Sequence, residues 1–370
     1  MGQTAETTLK SRSSTAPSPI RGRCVWTGPE LAASDDWVWQ WPKGAVDQID
    51  AAWNAVADRA DDPTRITAGD FPLPKLREFF NHILTELEDG RGMIRLTGFP
   101  VERYDRDSLR VIFWGLGCHL GTAVHQTAHG EILGEVRDES GDGGIVSRQI
   151  GDKTAGDGRV LASRARARST GPLRFHTDRC DVIALLCAAN GIDGGVSKLA
   201  SIPYIHNEIL RRRPDLHAVL CQDYWRSRPE DEEGSGREKV FALPVFGVCD
   251  GKITSQYSRT YVEQAQEIDG VPVLTLAQNE ALDLLAEIAE ESCLQAPFAE
   301  GDIQLLNNHV VYHGRTAYAD DRAAGKTRLL MRLWLSVPNS RALPDGFEVL
   351  WGATKAGALR GGVEPATGDR

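Results

Sequence analysis

The chain has 370 residues, of which 41% are hydrophobic and 25% charged, and its formal net charge at pH 7 is −10. Such a composition is typical of an ordinary globular protein that folds without disulfides or a structural metal. Basic residues number 42 against 52 acidic ones. This balance argues against general nucleic-acid binding, which needs a basic face to displace counterions, so we expect no nucleic-acid partner.

Seven cysteines are scattered along the chain without a Cys-x-x-Cys pair. This pattern disfavours a disulfide scaffold and a structural zinc site, and it is typical of a reducing compartment. No apolar run approaches the ~20 residues that span a bilayer, and the N-terminal segment lacks the apolar region of a secretory signal. We therefore expect a cytoplasmic protein without a membrane partner. The sequence leaves the oligomeric state open, a homo-oligomer included.

The chain is expected to form one domain between two tails. Residues 1–22 are rich in Ser, Thr and Pro, which predicts a disordered N-terminal tail. Residues 23–356 contain neither a long linker nor an internal repeat and are predicted to form the domain. Within it, residues 138–169 are rich in Gly and Arg and predict a mobile, lid-like insertion. Residues 357–370 are predicted to be a flexible C-terminal tail.

Hydrophobic periodicity predicts the elements of this domain. In chain order, helices are expected over residues 46–60, 76–87, 107–118, 203–213 and 275–291. Strands are expected over residues 93–97, 182–187, 302–306, 309–313 and 327–337. Helices that flank a core of distant short strands indicate an α+β fold with a barrel or jelly-roll centre.

A His-x-Asp pair, His176 and Asp178, lies in the β-type sequence of residues 173–178. In a strand, residues i and i+2 point to the same face, so the two side chains can converge on one ion. One imidazole and one carboxylate are two of the three ligands of the facial triad that holds Fe(II) with open positions. The spacing also occurs by chance in many chains, so the pair alone does not establish a metal site.

Two histidines near the C-terminal end, His309 and His313, are candidates for a third ligand. On a helix they would lie ~6 Å apart and could share a zinc ion. However, the segment is β-branched, follows an Asn-Asn turn and lacks the Glu of a His-Glu-x-x-His motif. In a strand they are separated by roughly 13 Å, too far for one metal. Only one of the two can therefore be a ligand, and the other is a packed histidine or one that supports the metal site from behind a ligand.

The predicted strand over residues 327–337 is apolar on one face and carries Arg328, Arg332 and Trp334 on the other. Alternation alone fits a solvent-exposed arginine face equally well. Trp334 and the apolar sequence around it favour the inside of a barrel, where an unpaired charge costs several kcal/mol. A bound dicarboxylate would satisfy such an arginine through a bidentate contact.

Together, these three segments resemble the TauD/TfdA (taurine dioxygenase-like) family of Fe(II)- and 2-oxoglutarate-dependent oxygenases, over about residues 92–338. The resemblance implies a double-stranded β-helix (jelly-roll) core with flanking helices. It also implies that the catalytic metal ligands are His176, Asp178 and His313, the last of which stands directly before Gly-Arg. The likeness is weaker in the first 90 residues and in the insertion before His176.

The resemblance also implies roles for residues outside the triad. Arg328, fifteen residues after the distal histidine, matches the arginine that grips the far carboxylate of 2-oxoglutarate, and Ser197 in a Gly-Gly-x-Ser segment matches the hydroxyl that assists it. Arg332 matches a second arginine that faces the metal or the substrate. His125 and Gln126 lie where some relatives bind substrate; a solvated loop histidine is the alternative for His125.

The function implied is that of a dioxygenase that uses Fe(II), 2-oxoglutarate and O2 to oxidise an unactivated C–H bond of a small carboxylate-bearing molecule, such as an amino acid. Hydroxylation is expected, with desaturation and oxidative cyclisation as alternatives and succinate and CO2 as coproducts. Because Asp178 is present, a halogenase is disfavoured. Two other classes stay open from the residues: a non-catalytic jelly-roll protein that binds a metal or ligand, and a zinc-dependent hydrolase. Neither requires Arg328 or Ser197.

Overall fold

The computed structural model describes residues 17–59, 61–140, 166–229, 232 and 237–365. Short 3-10 helices occur at Ala57–Arg59, Pro63–Arg65, Pro74–Leu76 and Val101–Arg103. Within the described ranges, no helix is both long and apolar enough to cross a membrane. The α-helices described are α1 Gly28–Ala32, α2 Ala45–Asn54, α3 Arg77–Asp89, α4 Arg106–Cys118, α5 Ile202–Arg212, α6 Pro214–Leu220, α7 Arg259–Ala265, α8 Leu276–Ser292 and α9 Glu348–Trp351.

The strands of the first half of the chain are β1 Val38–Gln40, β2 Met93–Thr97, β3 Thr122–Ala123, β4 Leu133–Val136, β5 Leu173–His176, β6 Val182–Ala189, β7 Asp193–Gly194 and β8 Ser197–Ser201. Those of the second half are β9 Asp223–Ser227, β10 Val240–Pro244, β11 Phe246–Cys249, β12 Lys252–Ser255, β13 Leu294–Ala296, β14 Ile303–Asn307, β15 Val311–Arg315, β16 Tyr318–Ala319 and β17 Leu329–Ser336.

Two sheets form the centre of the molecule. The larger one has the strand order β1-β2-β14-β6-β17-β3, and β4 also pairs with β17. The smaller one has the order β13-β8-β15-β5. Apart from the parallel β1–β2 pair, the strand pairs of both sheets are antiparallel. The predicted α+β fold with a jelly-roll core is thus confirmed.

The larger sheet is buried on both faces. Ile183 and Leu185 of β6 belong to the apolar core that includes residues of the smaller sheet, whereas Ala184 and Leu186 belong to the core formed with α2, α3 and α4. This alternation follows the two-residue period of a strand. A strand covered on both sides needs apolar residues at nearly every position, which explains the continuous apolar run of β6.

The predicted elements agree with the structure to within a few residues in most cases. The strand Met93–Thr97 has the predicted bounds, and the last long helix begins after Thr275, whose side chain caps it by accepting from the Gln278 backbone N–H. The strand predicted over residues 309–313 instead begins at Val311, because residues 308–310 form a turn. The hairpins β9–β10 and β11–β12 are absent from the sequence prediction.

The C-terminal segment, residues 357–365, corrects the prediction of a flexible tail from residue 357. Arg360 and Val363 are buried, and the backbone N–H groups of Gly361 and Gly362 donate to carbonyl oxygens of the domain. These contacts make the C-terminal segment part of the fold. Residues 366–370 lie outside the described residues.

Two further predicted segments are only partly described. Of the N-terminal tail, residues 1–16 lie outside the described residues, while Ile20 makes two backbone hydrogen bonds to the side chain of Asn207. Of the predicted lid, residues 141–165 lie outside the described residues. Its flanks are joined by an ion pair of 3.2 Å between Arg168 and Glu139.

Candidate metal centre and adjoining cavity

Three of the predicted site residues come together at one end of the smaller sheet. His176 ends β5 and is the register partner of His313 in β15, and Asp178 lies two residues beyond β5. The Nε2 atom of each histidine lies 3.6 Å from an oxygen of Asp178. One ligand atom from each of the three lies within 4.8 Å of the others, and no other group of three or more His, Cys, Asp or Glu in the described ranges does so.

The protonation states of this cluster suit a divalent metal. Burial lowers the pKa of His176 to about 4, so its imidazole is neutral at pH 7. Burial alone would raise the pKa of Asp178, but the adjacent imidazole of His313 and nearby positive charge hold that pKa well below its usual range. Neutral imidazoles and an ionised carboxylate are the forms that ligate metal ions. The three residues therefore fit a 2-His-1-carboxylate iron site.

Surrounding groups orient two of the ligands. The Nδ1–H of His176 donates to the carbonyl of Arg174 over 2.9 Å, which leaves Nε2 for a metal. The Trp334 indole donates to Oδ2 of Asp178 over 3.0 Å, and the backbone N–H of Asp178 donates to the side-chain carbonyl of Asn308 over 3.1 Å. The expectation that Asp178 shares a strand with His176 is wrong. Because β5 ends at His176, these two distant side chains position the carboxylate instead.

His309 lies outside the cluster. It is fully buried in the turn before β15, with Nε2 2.9 Å from Oδ1 of Asp181 and Nδ1 2.7 Å from the hydroxyl of Thr254. Both ring nitrogens are thus engaged with other partners. Of the two candidate histidines, the structure brings His313 to the other two ligands and holds His309 apart as a packed histidine.

Arg328 lies directly before β17, buried beside the Gly-Gly-x-Ser turn. Its guanidinium carbon lies 5.9 Å and 5.4 Å from the ring centroids of Phe298 and Tyr318. Nη2 donates to the carbonyl of Gly195 over 3.1 Å, while Nε is buried without a hydrogen-bond partner in the described part of the chain. Ser197 opens the neighbouring strand β8 and is also buried. A buried cation with an unused donor fits a bound carboxylate such as that of 2-oxoglutarate.

Arg332 projects into the jelly-roll interior together with Trp334, over whose ring its guanidinium carbon lies at 5.3 Å. Its Nε donates to Oε1 of Gln126 over 2.6 Å. The amide of Gln126 in turn donates to the Arg332 carbonyl over 2.9 Å, so each side chain fixes the other. His125 does not line the cavity described below, and its carbonyl accepts from the backbone N–H of Val363. Of the two predicted loop residues, only Gln126 reaches the cavity.

A cavity adjoins the metal ligands, and arginines predominate among its charged residues. Its described wall includes Arg179, Arg226 and Arg332 but only one carboxylate, Asp178. Arg179 forms a buried ion pair with Glu232. Arg226 is fully buried and donates to four backbone carbonyls, without an acidic partner among the described residues. The sequence does not indicate that Arg226 lines this cavity, because the carbonyls that hold it come from three separate segments of the chain.

A jelly roll that carries a 2-His-1-carboxylate cluster defines the class of non-haem iron oxygenases. The family model described as "Taurine catabolism dioxygenase TauD, TfdA family" matches residues 59–334, and the chain belongs to this family. The protein is thus an Fe(II)- and 2-oxoglutarate-dependent oxygenase.

Individual relatives agree with this membership. FR-33289 synthase of Streptomyces rubellomurinus (strain ATCC 31215) is 28% identical over 353 residues, which cover 91% of this chain and 96% of the relative. Asparagine oxygenase with Fe(II), 2S,3S-3-hydroxyasparagine and succinate has a TM-score of 0.59 at 15% identity, covering 81% of this chain and 93% of that one. OrfP with Fe and alpha-ketoglutaric acid has a TM-score of 0.55 at 13% identity, covering 81% and 94%. The two structures share the fold.

Proposed function

We propose that this enzyme hydroxylates an unactivated C–H bond of a small carboxylate-bearing molecule, with amino acids as the first class to test. The observation that carries the proposal is Arg332, which Gln126 holds beside the metal ligands in a cavity with more arginines than carboxylates. A substrate carboxylate in this cavity can accept charge-assisted hydrogen bonds from the Arg332 guanidinium. Structural neighbours crystallised with hydroxyasparagine and with (3S)-hydroxy-L-Arg support an amino acid.

In this proposal His176, Asp178 and His313 hold Fe(II), and three protein ligands leave three positions open for the cosubstrates. Bound iron supplies the redox chemistry by which O2 and 2-oxoglutarate yield succinate and CO2, one oxygen atom entering succinate and the other the substrate. The role of the chain is to place the two organic reactants. Arg328 and Ser197 bind the far carboxylate of 2-oxoglutarate, and Arg332 binds the substrate carboxylate.

The spacing of the two arginines supports this division. Arg328 stands just before β17 and Arg332 lies within it, with a register shift between Leu329 and Leu330. Their side chains therefore start from separate backbone positions, at most about 13 Å apart. They also differ in surroundings: Arg328 lies against Gly195, whereas Arg332 lies beside Trp334, the residue that contacts Asp178. In the proposed complex, Arg328 therefore lies at the end that holds 2-oxoglutarate, and Arg332 lies at the end that holds the substrate.

A zinc-dependent hydrolase, the alternative that the sequence leaves open, needs a group that is absent from the described cavity wall. Such an enzyme needs a carboxylate near the metal to activate water, and Asp178, itself a ligand, is the only carboxylate in the described cavity wall. A purely binding protein is at odds with membership of a dioxygenase family.

The test begins with anaerobic addition of Fe(II) and 2-oxoglutarate, which should produce the weak visible charge-transfer band of the ternary complex. Succinate release is then measured across the amino acids and across their carboxamides, which have nearly the same shape without the negative charge. We expect an acid to stimulate succinate release and its carboxamide to do so at least about tenfold less. A carboxamide that works as well as its acid would contradict the proposed recognition by Arg332.

A further inference from the structure

The C-terminal segment contributes a wall of the cavity. Val363 is 4% exposed and lines the cavity together with metal ligands, Gln126 and Arg332. The neighbouring helix α9 contributes a second apolar residue, Leu350. Residues at the end of the chain thus touch the space in which the proposed substrate would lie.

A buried ion pair anchors this segment. The Nε of Arg360 lies 2.8 Å from Oδ1 of Asp181, and its Nη2 lies 2.7 Å from the same oxygen. Asp181 also accepts from the Nε2 of His309 and from the backbone N–H of Val337 over 3.1 Å. The hydroxyl of Ser336 contacts Asp181 and accepts from the Arg360 backbone N–H. The anchor therefore joins the end of the chain to the loop that follows Asp178 and to the end of β17.

Beyond the anchor, the segment is hydrogen-bonded to two loops that carry cavity residues. Gly362 donates its backbone N–H to the carbonyl of Arg179, next to the ligand Asp178, and Val363 donates to the carbonyl of His125. A Cβ on Gly361 would lie 2.6 Å from the Arg179 carbonyl, and the φ of this residue is +79°. Only glycine passes here without strain. The segment thereby braces the loop whose Gln126 orients Arg332.

From these contacts we infer that Val363 is a specificity-determining residue, which limits the size of substrate that fits beside the metal, and that Arg360 is the positioning residue that holds it there. The inference extends the proposed function, since it assigns the wall of the same site. A flexible tail, as expected from composition, could not set the size of a cavity. The buried Arg360–Asp181 ion pair fixes the C-terminal segment, so Val363 can limit the size of the cavity.

The positioning role is tested by hydrogen exchange on the full-length protein. Arg360→Met should speed exchange of residues 358–363 by about tenfold or more, because the freed segment loses its own backbone hydrogen bonds. Exchange of residues 124–126 should rise less, since the segment packs against this loop while the N–H groups of Val124 and Gln126 donate to Trp334 and Glu131. Strand β14, which β6 separates from β17 in the larger sheet, should exchange as in the wild type and so report an intact fold. The matched control is Leu359→Ala, which alters a side chain 66% exposed in the same segment. Unchanged exchange in Arg360→Met would overturn the positioning role.

The specificity role is tested with ligands of graded size on the Co(II)-substituted protein with 2-oxoglutarate bound. Visible spectra give the affinities of imidazole and 4-phenylimidazole for the remaining metal position. Val363→Phe should weaken 4-phenylimidazole relative to imidazole by about tenfold, and Val363→Ala, which cannot clash, should shift the ratio the opposite way. Leu359→Phe should leave the ratio unchanged.

Ratios equal to the wild type in both Val363 variants would overturn the assignment of this wall. Neither the exchange experiment nor the imidazole series uses an organic acid substrate. An error in the proposed substrate class would therefore appear only in the succinate assay, and the two failures are distinguishable.

Discussion

The carboxylate of Asp178 and the imidazoles of His176 and His313 lie close together because the end of β5 pairs with the middle of β15 and the loop after β5 carries Asp178. His309 is held elsewhere by Asp181. We expect Ala at any of the three clustered positions to abolish Fe(II) binding and turnover, because two ligands rarely retain the metal. His309→Gln should retain Fe(II), with a lower free energy of unfolding because a buried partner of Asp181 is lost. Anaerobic iron titration and urea unfolding measure the two effects.

The comparison between the two histidines is the decisive control. A folded His309→Gln protein that loses iron, beside a His313→Ala protein that keeps it, would reverse the assignment. Thermal unfolding of each variant in the metal-free form shows whether a loss of iron reflects the ligand or the fold.

Substitutions of Arg328 and Arg332 are expected to change different kinetic constants. Losing a charge-assisted contact with a buried anion costs roughly 2–5 kcal/mol, or about 30-fold to several-thousand-fold in affinity. Arg328→Ala should therefore steeply raise the KM for the cosubstrate 2-oxoglutarate. Arg332→Ala should mainly raise the KM for the substrate and uncouple succinate formation from product formation. The proposed division would be wrong if Arg332→Ala weakened 2-oxoglutarate alone.

Single residues with distinctive chemistry could be identified from the sequence, but their supports could not. The His-x-Asp pair and the distal histidine stand out by type and spacing, whereas Asn308 and Trp334 act on Asp178 only because the chain folds back after more than a hundred residues. The same applies to Arg226, whose partners are backbone carbonyls and leave no mark in the sequence.

At the scale of elements, the turn between β7 and β8 shapes the Arg328 site. Gly195 has a φ of +65°, and a Cβ there would lie 2.9 Å from Nε of Arg328. Because the guanidinium is confined by Phe298 and Tyr318, we expect Gly195→Ala to displace it and to weaken the apparent affinity for 2-oxoglutarate, measured as KM, by about tenfold or more.

The matched control for this turn is Gly251→Ala. Gly251 has a φ of +75° between β11 and β12, with nothing within 4 Å of an added Cβ. It carries the same backbone penalty of roughly 1–2 kcal/mol without a clash. Urea unfolding should show similar losses of stability in the two variants, and only Gly195→Ala should affect 2-oxoglutarate. Equal KM values for the cosubstrate in both variants would show that the close approach to Arg328 has no functional effect.

Elements whose sequences have a strong hydrophobic period could be predicted, whereas elements that depend on strand pairing could not. The face of β17 that carries Arg332 and Trp334 points inward as its apolar surroundings indicate. The strands β9 to β12 have only four or five residues each and pair within hairpins, so each offers too short a pattern to indicate a strand from the sequence. The inward placement of Arg360 depends on Asp181, 179 residues away along the chain. Local composition therefore predicts a flexible tail at this position.

At the scale of the whole molecule, several histidines are buried away from the cavity. His206 and His217 pack edge to face with ring centroids 4.5 Å apart, and both lie against Phe246. Nε2 of His217 is buried without a hydrogen-bond partner among the described residues. Burial, aided by His206, lowers the pKa of His217 to about 4, and burial likewise lowers the pKa values of His206 and His309.

These shifts predict that the metal-free protein loses stability on mild acidification. The unfolded chain binds protons at these histidines below a pH of about 6.5, whereas the folded protein does not until the pH falls further. The free energy of unfolding should thus decrease from pH 7 towards pH 5, by up to about 1.4 kcal/mol per pH unit for each such histidine. His217→Phe, which keeps an aromatic ring beside Phe246, should reduce this slope by up to the contribution of one histidine, about 1.4 kcal/mol per pH unit. Urea unfolding at pH 7, 6 and 5 measures the slopes. Identical slopes in the wild type and His217→Phe would show that His217 binds protons alike in the folded and unfolded states, and would contradict the lowered pKa.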